Sequence, residues 1–425
     1  MTEWKEYKLK EVVSFIDYRG KTPNKKTFGV PLITAKIVKN GVIQEPTEYI
    51  SFEDYKGWMT RGFPEVGDVV MTTEAPLGEV AQIKDASFAL AQRIITMRGK
   101  EGLLHSGYLK YFLQSNIGQA RLKERETGTT VTGIKSSELK EVLVSAPDYK
   151  TQTSIAEILS SLDDKIELNN QINKDLEALA QALFKQWFID FDFPNENGEP
   201  YRSSGGEMAD SELGEIPKGW KTDRLGDHLY IKGRIGWKGL KKSDYLTYNT
   251  GYSIINGSDF SNEQIDWRRC GWISMERYEE SPEIMLKEDD ILITKDGTIG
   301  KIAFVNKLYS STSVASGIFV VRVSSESLRT YFCWSFFKSP YFQELVKSRI
   351  DGSVIPHLYQ RDFVEMFIPL PPVELLEKFE NQSKLIFQNI FQNKEEAKDL
   401  EKLRDTLLPK LISGELKVTN NSIEV

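Results

Sequence analysis

Cysteine and histidine are nearly missing from this 425-residue chain, which has two of the first and three of the second. With only Cys270 and Cys333, neither a disulfide framework nor a zinc site is plausible. His105, His228 and His357 are scattered and form no cluster for acid–base chemistry, so no metal or catalytic site is expected. No GxxxxGK followed by Ser or Thr and no HExxH occurs, which removes the usual phosphate loop and metalloprotease helix. Gly233, Gly236 and Gly239 open no helical pattern, and Asp289-Asp290 reads as a turn at a strand entrance. No bound cofactor is expected.

Long apolar runs are also absent. None approaches the roughly 20 residues that span a bilayer, and the opening MTEWKEYKLK lacks a signal peptide's apolar stretch. A cytoplasmic protein with no membrane partner is the expectation. Nor is there a surplus of positive charge: Lys and Arg number 55 against 62 Asp and Glu, a net charge of −7. That argues mildly against a nucleic-acid partner. Net charge does not report distribution, however, and much of the acid (Glu196, Glu199, Glu207, Asp210, Glu212, Glu215) falls in one short stretch.

What is present is a heptad. Ile155, Leu159, Leu162, Ile166, Asn169, Asn173, Leu176, Ala180, Leu183 and Trp187 follow one another at alternating spacings of four and three, without Pro or Gly between them. This predicts one long helix with a seam facing a partner helix, and Ile158, Ile172 and Leu179 widen the stripe. About 35 residues at a rise of 1.5 Å span roughly 50 Å. A shift of 224 (371 − 147) carries Pro147 onto Pro371, Ile166 onto Ile390, Asn169 onto Asn393 and Leu183 onto Leu407 without a gap. A second long helix of the same design follows from that self-similarity.

The blocks before the helices repeat as well. WKEYKLKEVVSFI aligns with WKTDRLGDHLYIK, and GDVVMTTEAPLGEVAQI with DDILITKDGTIGKIAFV, placing Gly78 on Gly300. Short β-rich runs such as VPLITA and QRIITMRG alternate with turn residues. The unmatched segments lie mainly at 21–65 and 238–282. The expected organisation is a first β-rich domain over 1–149, a helix over 150–190 and a Pro, Gly and Ser-rich linker over 191–217. A second domain over 218–372, a helix over 373–414 and a tail over 415–425 complete it. The fold class is α+β: two repeated β-rich domains joined by two long helices in an antiparallel, pseudo-two-fold coiled coil.

The divergent segments carry basic and aromatic residues together. In the first block these are Arg19, Lys21, Lys25 and Lys26; in the second they are Lys232, Arg234, Trp237, Lys238, Lys241, Lys242, Trp267, Arg268 and Arg269. Such clusters contact phosphates, and Arg addresses guanine edges in the major groove. A solvated loop face is the plain alternative. The loop before each block's last strand, with Thr129, Thr130 and Lys135 in one and Ser353, His357, Tyr359 and Arg361 in the other, is a second candidate surface.

DSELGEIPKGW before the second block, ALFKQWFIDF ending the first helix, LRDTLLPKLISGEL ending the second and the paired GDVVMTTEAPLGEVA and DDILITKDGTIGKIA carry a family resemblance. The chain resembles, over essentially its whole length, the specificity subunit of type I restriction–modification systems. The resemblance implies a non-catalytic reader of double-stranded DNA, with each domain binding one half of a split target and the helices holding the halves at a fixed separation. It also implies partners: modification subunits that methylate adenine with S-adenosylmethionine, and restriction subunits that translocate and cleave with ATP. The family's inserts vary, so base-contacting residues do not carry over.

Two further expectations concern the helices. Phe184, Trp187, Phe188 and Phe191 form an aromatic patch that is a candidate docking surface for a modification subunit, or else packs the helix end onto the second block. Asn169 and Asn393, at equivalent seam positions, are expected to pair across the helices and fix their register. Two other readings stay open. A coiled-coil scaffold whose domains bind proteins is one. A single-chain DNA-modifying enzyme is the other, although an NPPY-like tetrapeptide is missing.

Overall fold

The structure, a computed structural model, describes residues 4–425 except 19, 21, 129–131, 351–357, 420, 421 and 425. The chain forms two compact units, one of Met1–Asn169 with Glu395–Val425 and one of Asn170–Lys394.

In the first unit the two main sheets are built from β1 (Val13–Asp17), β2 (Val30–Ile33), β3 (Tyr49–Ile50), β4 (Val69–Thr73), β5 (Leu77–Gln82), β6 (Ala89–Leu90) and β7 (Ile94–Gly99). They form a four-stranded antiparallel sheet in the order β1-β7-β4-β5 and a three-stranded sheet in the order β3-β2-β6. In the smaller sheet β2 runs antiparallel to β3 and parallel to β6. Strand β4 reads VVMTT and is buried at every position, as expected of a sheet covered on both faces. One face packs on α1 (Ser106–Gln114), whose Tyr108, Leu109, Phe112 and Leu113 are fully buried. Helix α2 (Asn116–Lys123) follows at once, because Ser115 ends α1 and its hydroxyl accepts from the Gly118 N–H to cap α2.

The second unit repeats this plan. Its matching strands are β8 (Leu229–Gly233), β9 (Tyr252–Ile255), β10 (Gly271–Trp272), β11 (Ile291–Thr294), β12 (Ile302–Phe304), β13 (Ser311–Val314) and β14 (Ile318–Val323). The four-stranded order is β8-β14-β11-β12 and the three-stranded order β10-β9-β13, again with one antiparallel and one parallel pairing. The segments that show no sequence match therefore supply two of the three strands of the same small sheet in each block. Side-chain bonds repeat too. Asp68 takes two bonds from Arg98 at 2.7 and 2.8 Å, and Asp290 takes two from Arg322 at 2.6 and 2.7 Å. Asp290 is thus the buried half of an ion pair at a turn. Gly78 and Gly300 share a left-handed backbone, with φ of 87° and 80°, where a side chain would be strained.

The first of the long helices is α3 (Tyr149–Phe188). After α4 (Thr330–Lys338) and α5 (Pro340–Ile350), the second block's counterparts of α1 and α2, comes the second, α6 (Val373–Ser413). Both long helices contribute part of their length to each unit. They run antiparallel. In the first unit Asp163 meets Arg404 while Asn169 meets Glu396. In the second, Asn173 meets Asn393 while Phe188 meets Phe379. Ile155, Leu159, Ile166, Asn169, Asn173, Ala180 and Trp187 are all buried, as the heptad requires. Ile172 and Leu179 do not widen the seam; both are exposed.

Two expectations are corrected. The aromatic patch is not a surface: Phe184, Trp187 and Phe188 are each 3% exposed and Phe191 is 9% exposed. Phe188 lies between Phe332 and Phe379, with ring centroids 4.9 and 4.8 Å away, and Phe191 packs edge-on to Trp220. Burial of so much aromatic area outweighs any gain from leaving it free. The stretch expected as a linker is also ordered, with a hairpin of Met208–Ser211 and Gly214–Pro217, and Tyr201 stacks on Phe193 at 4.7 Å.

Candidate nucleic-acid interface

In each block one end of the four-stranded sheet collects the loops. In the first block the C-terminal ends of β1 and β4 lie beside the N-terminal ends of β5 and β7. The loop before the block's last strand, Leu143–Ala146, docks there, with the Ile134 N–H donating to Thr73 O at 2.9 Å. In the second block the Leu358 N–H donates to Lys295 O at 3.1 Å, the same bond on the repeat. The two regions singled out in the sequence, the divergent segment after the first sheet strand and the loop before the last, thus meet at one sheet end in each block.

The residues at these ends differ in how free they are. Lys135 stands just before the short helix Ser136–Lys140 and is exposed. Lys25 is paired with Glu48 at 2.9 Å, and that bond holds the Glu48 carboxyl below its usual range. Arg93 pairs with Glu74 at 2.9 Å beside the docked loop. In the second block Lys232 is exposed on β8, its ammonium 5.9 Å from the Tyr230 ring. Arg361 lies 5.0 Å from the half-exposed Tyr359 ring, and Lys295 lies 5.2 Å from the Phe319 ring. Lys238 bonds to the Glu280 carbonyl. Arg19, Lys21, Thr129, Thr130, Ser353 and His357 lie outside the described residues.

Arg234 leaves the candidate surface. It is 3% exposed, and its guanidinium donates to Val314 O, Ser281 Oγ and Ser313 Oγ at 3.2–3.3 Å. Burial pushes its pKa below that of an ordinary arginine. It is a strut beneath the basic loop. Arg268 and Arg269 are exposed but belong to another patch. There Trp267 meets Tyr309 at 5.5 Å and Lys307 lies 5.1 Å from the Tyr309 ring. Tyr309 follows the C-terminal end of β12, whereas the loops gather at that strand's N-terminal end. Lys295, Arg93, Lys307 and Tyr309 were not singled out in the sequence. On the repeat Lys295 falls on Thr73, whose carbonyl holds the docked loop in the first block.

The seam asparagines are placed differently from expectation. Asn393 donates to Asn173 Oδ1 at 3.0 Å, and Asn169 donates to Glu396 at 2.8 Å. The partner of Asn393 is thus the other seam asparagine of α3, Asn173, one turn beyond Asn169.

This is a tandem of two like modules, each with a loop-bearing sheet end and each built onto antiparallel helices. The model of the type I restriction modification DNA specificity domain matches residues 1–178 and 217–404. The chain belongs to that family. It is 30% identical over 432 residues to the type I restriction enzyme MjaIX specificity subunit of Methanocaldococcus jannaschii, covering 98% of this chain and 94% of that protein. It is 23% identical over 475 residues to the HindI specificity subunit of Haemophilus influenzae, with 98% and 100% covered. Its fold is similar to the crystal structure of the type I restriction–modification S subunit from M. genitalium, with a TM-score of 0.61 at 18% identity and 96% of each chain covered.

Proposed function

We infer that this chain is the DNA specificity subunit of a type I restriction–modification complex and reads a bipartite duplex target, one half with each β-rich domain. The observation that carries the reading is the repeated loop-bearing sheet end, where two separate stretches of each block are joined by the same backbone bond. We assign the recognition domains to 1–149 and 218–372. Exposed Lys135 and Lys232 serve phosphate positioning, and the Tyr359–Arg361 pair, a stacked ring and cation, addresses bases. The basic patch of Arg268 and Arg269 beside Trp267 and Tyr309 is a second DNA-facing surface.

The chain itself is a non-catalytic cytoplasmic partner. Methyl transfer from S-adenosylmethionine falls to modification subunits, and ATP-driven cleavage to restriction subunits. The lack of a phosphate-loop motif or an NPPY-like tetrapeptide in the sequence supports this division.

The test is to express the chain with its modification subunit and map methylated adenines. A split motif with a fixed spacer is the expected result, and binding to that duplex should weaken steeply with salt. Lys135→Ala with Lys232→Ala should lower the salt slope by about 2, one for each phosphate left unneutralised, without changing the motif. Methylation with no sequence preference would overturn the reading.

A further inference from the structure

A carboxylate on α3 recurs in each unit as the meeting point of two cations. In the first unit Asp163 accepts from Lys110 of α1 at 2.6 Å and from the Tyr111 hydroxyl at 2.7 Å, and its other oxygen accepts from Arg404 of α6 at 3.0 Å. Lys110 is 6% exposed, so it cannot lose this partner cheaply. In the second unit Lys338, on helix α4 (Thr330–Lys338), lies 3.7 Å from Glu177 of α3. Lys394 of α6 lies 3.1 Å from the same carboxylate. In each case one cation comes from the β-rich block and the other from the second long helix.

The repeated sequence does not account for this recurrence. The shift that superposes the halves carries Asp163 onto Phe387 and Glu177 onto Glu401. The arrangement is therefore placed separately in each unit, both times with the acid on α3. The second unit commits backbone strain to it. Asn262 and Glu263 form the turn between two short strands, with φ of 49° and 62°. The matching turn of the first block is Asn40-Gly41, where glycine takes the left-handed position without strain. Glu263 instead holds that position, with its carboxylate against Lys338, and Lys394 donates to the Asn262 carbonyl at 3.2 Å.

An apolar seam slipped by a heptad still presents apolar residues to apolar residues. These ion pairs do not survive such a slip. A shift of even one turn, about 5.4 Å, would part Arg404 from Asp163 and Lys394 from Glu177. Rotation of the block about the helices would strand Lys110 and would part Lys338 from Glu177, leaving it only Glu263 of its own block. We propose that Asp163 and Glu177 are positioning residues for target spacing: each locks its recognition domain in rotation and in height on the helix pair, and so sets which half-site separation the chain accepts. This rests on the bipartite reading given above.

The experiment uses the full chain bound to its modification subunit. The probes are duplexes carrying both mapped half-sites at the native spacer, one base pair shorter and one longer. Wild type should prefer the native spacer. Glu177→Gln and Asp163→Asn should each narrow that preference by about fivefold or more, while affinity for duplexes with a single half-site is unchanged. Glu177→Asp, which keeps the charge, should recover part of the preference. A variant that weakens all three duplexes by one common factor, or Glu177→Asp behaving like Glu177→Gln, overturns the proposal. Glu177 is the more exposed of the two acids, so its variants keep the test valid should Asp163→Asn fail to fold. Indifference of wild type to spacer length would instead overturn the bipartite reading.

Discussion

Asn393 donates its side-chain amide to Oδ1 of Asn173 at 3.0 Å, within a mainly apolar seam that also buries Asn169. The second donor group of the pair is not satisfied: Asn173 Nδ2 is buried with no partner among the described residues. A buried unmet donor costs on the order of 1–3 kcal/mol, against about 1 for the bond that is made. Asn393→Leu alone should therefore destabilise, by orphaning Asn173 further. Asn173→Leu with Asn393→Leu should be at least as stable as wild type. Urea midpoints of the two single variants and the double variant check this, through a coupling energy of opposite sign to the single effects.

Phe188→Ala should cost roughly 3–5 kcal/mol, the usual range for a large aromatic removed from a packed core. Phe188 touches Phe184, Trp187, Trp220, Phe332 and Phe379, which come from both long helices and the second block. Loss of near-ultraviolet circular dichroism and protease sensitivity within 170–394 would show it. A folded Phe188→Ala variant that merely fails to bind a modification subunit would return the patch to the surface role first expected of it.

That patch shows where the sequence stops being legible. The heptad over 155–187 is local, so the long helices and their seam follow from spacing alone. The covers of Phe184 and Phe188, namely Phe332 and Phe379, are far off in the chain, and nothing in the aromatic run itself points to them. Register fails for a similar reason. Asn169 and Asn393 match on the repeat, but a crossing is set by which residues face one another, and Asn393 faces Asn173. The small sheets were hidden because β3, β6 and β10 are two residues long, too short to show a period. Of the candidate interface, the two loop regions were legible from basic and aromatic clustering. The inward turn of Arg234 was not, since only Val314 O and two serines, distant in sequence, receive it.

Asp163 ties acid stability to the first unit. Burial pushes its pKa up, but Lys110, Tyr111 and Arg404 more than compensate and hold it below the ordinary value. A depressed carboxylate contributes stability that is present above its unfolded value, near 4, and is lost as the pH falls through the folded value. Asp163→Asn should therefore destabilise at neutral pH and flatten the stability curve below about pH 4. Urea midpoints between neutrality and that acid range measure it. A variant curve parallel to wild type would mean that another carboxylate carries the acid limb.

The two units solve one problem with different chemistry, which sets up the last prediction. In the first, Gln152 of α3 accepts from the His105 N–H at 2.8 Å at the start of α1, and its amide donates to Leu103 O and Pro147 O. In the second, Glu380 of α6 takes the corresponding task, accepting from the Tyr331 and Phe332 N–H groups of α4 at 3.0 and 3.3 Å. A carboxylate at a helix N-terminus gains from the helix dipole, typically 0.3–1 kcal/mol. Burial opposes it, and burial prevails: the Glu380 pKa is raised despite both N–H bonds. A carboxylate whose folded value is raised stabilises most below its unfolded value, near 4.3, and that contribution is lost as the pH rises through the folded value. Glu380→Gln keeps an acceptor for the helix end and removes the buried charge. It should raise the thermal midpoint of the second unit at about pH 8 and change it little near pH 4. A lower midpoint at the higher pH would show that the helix dipole outweighs desolvation at this site, and that the charge is there to hold α4 in place.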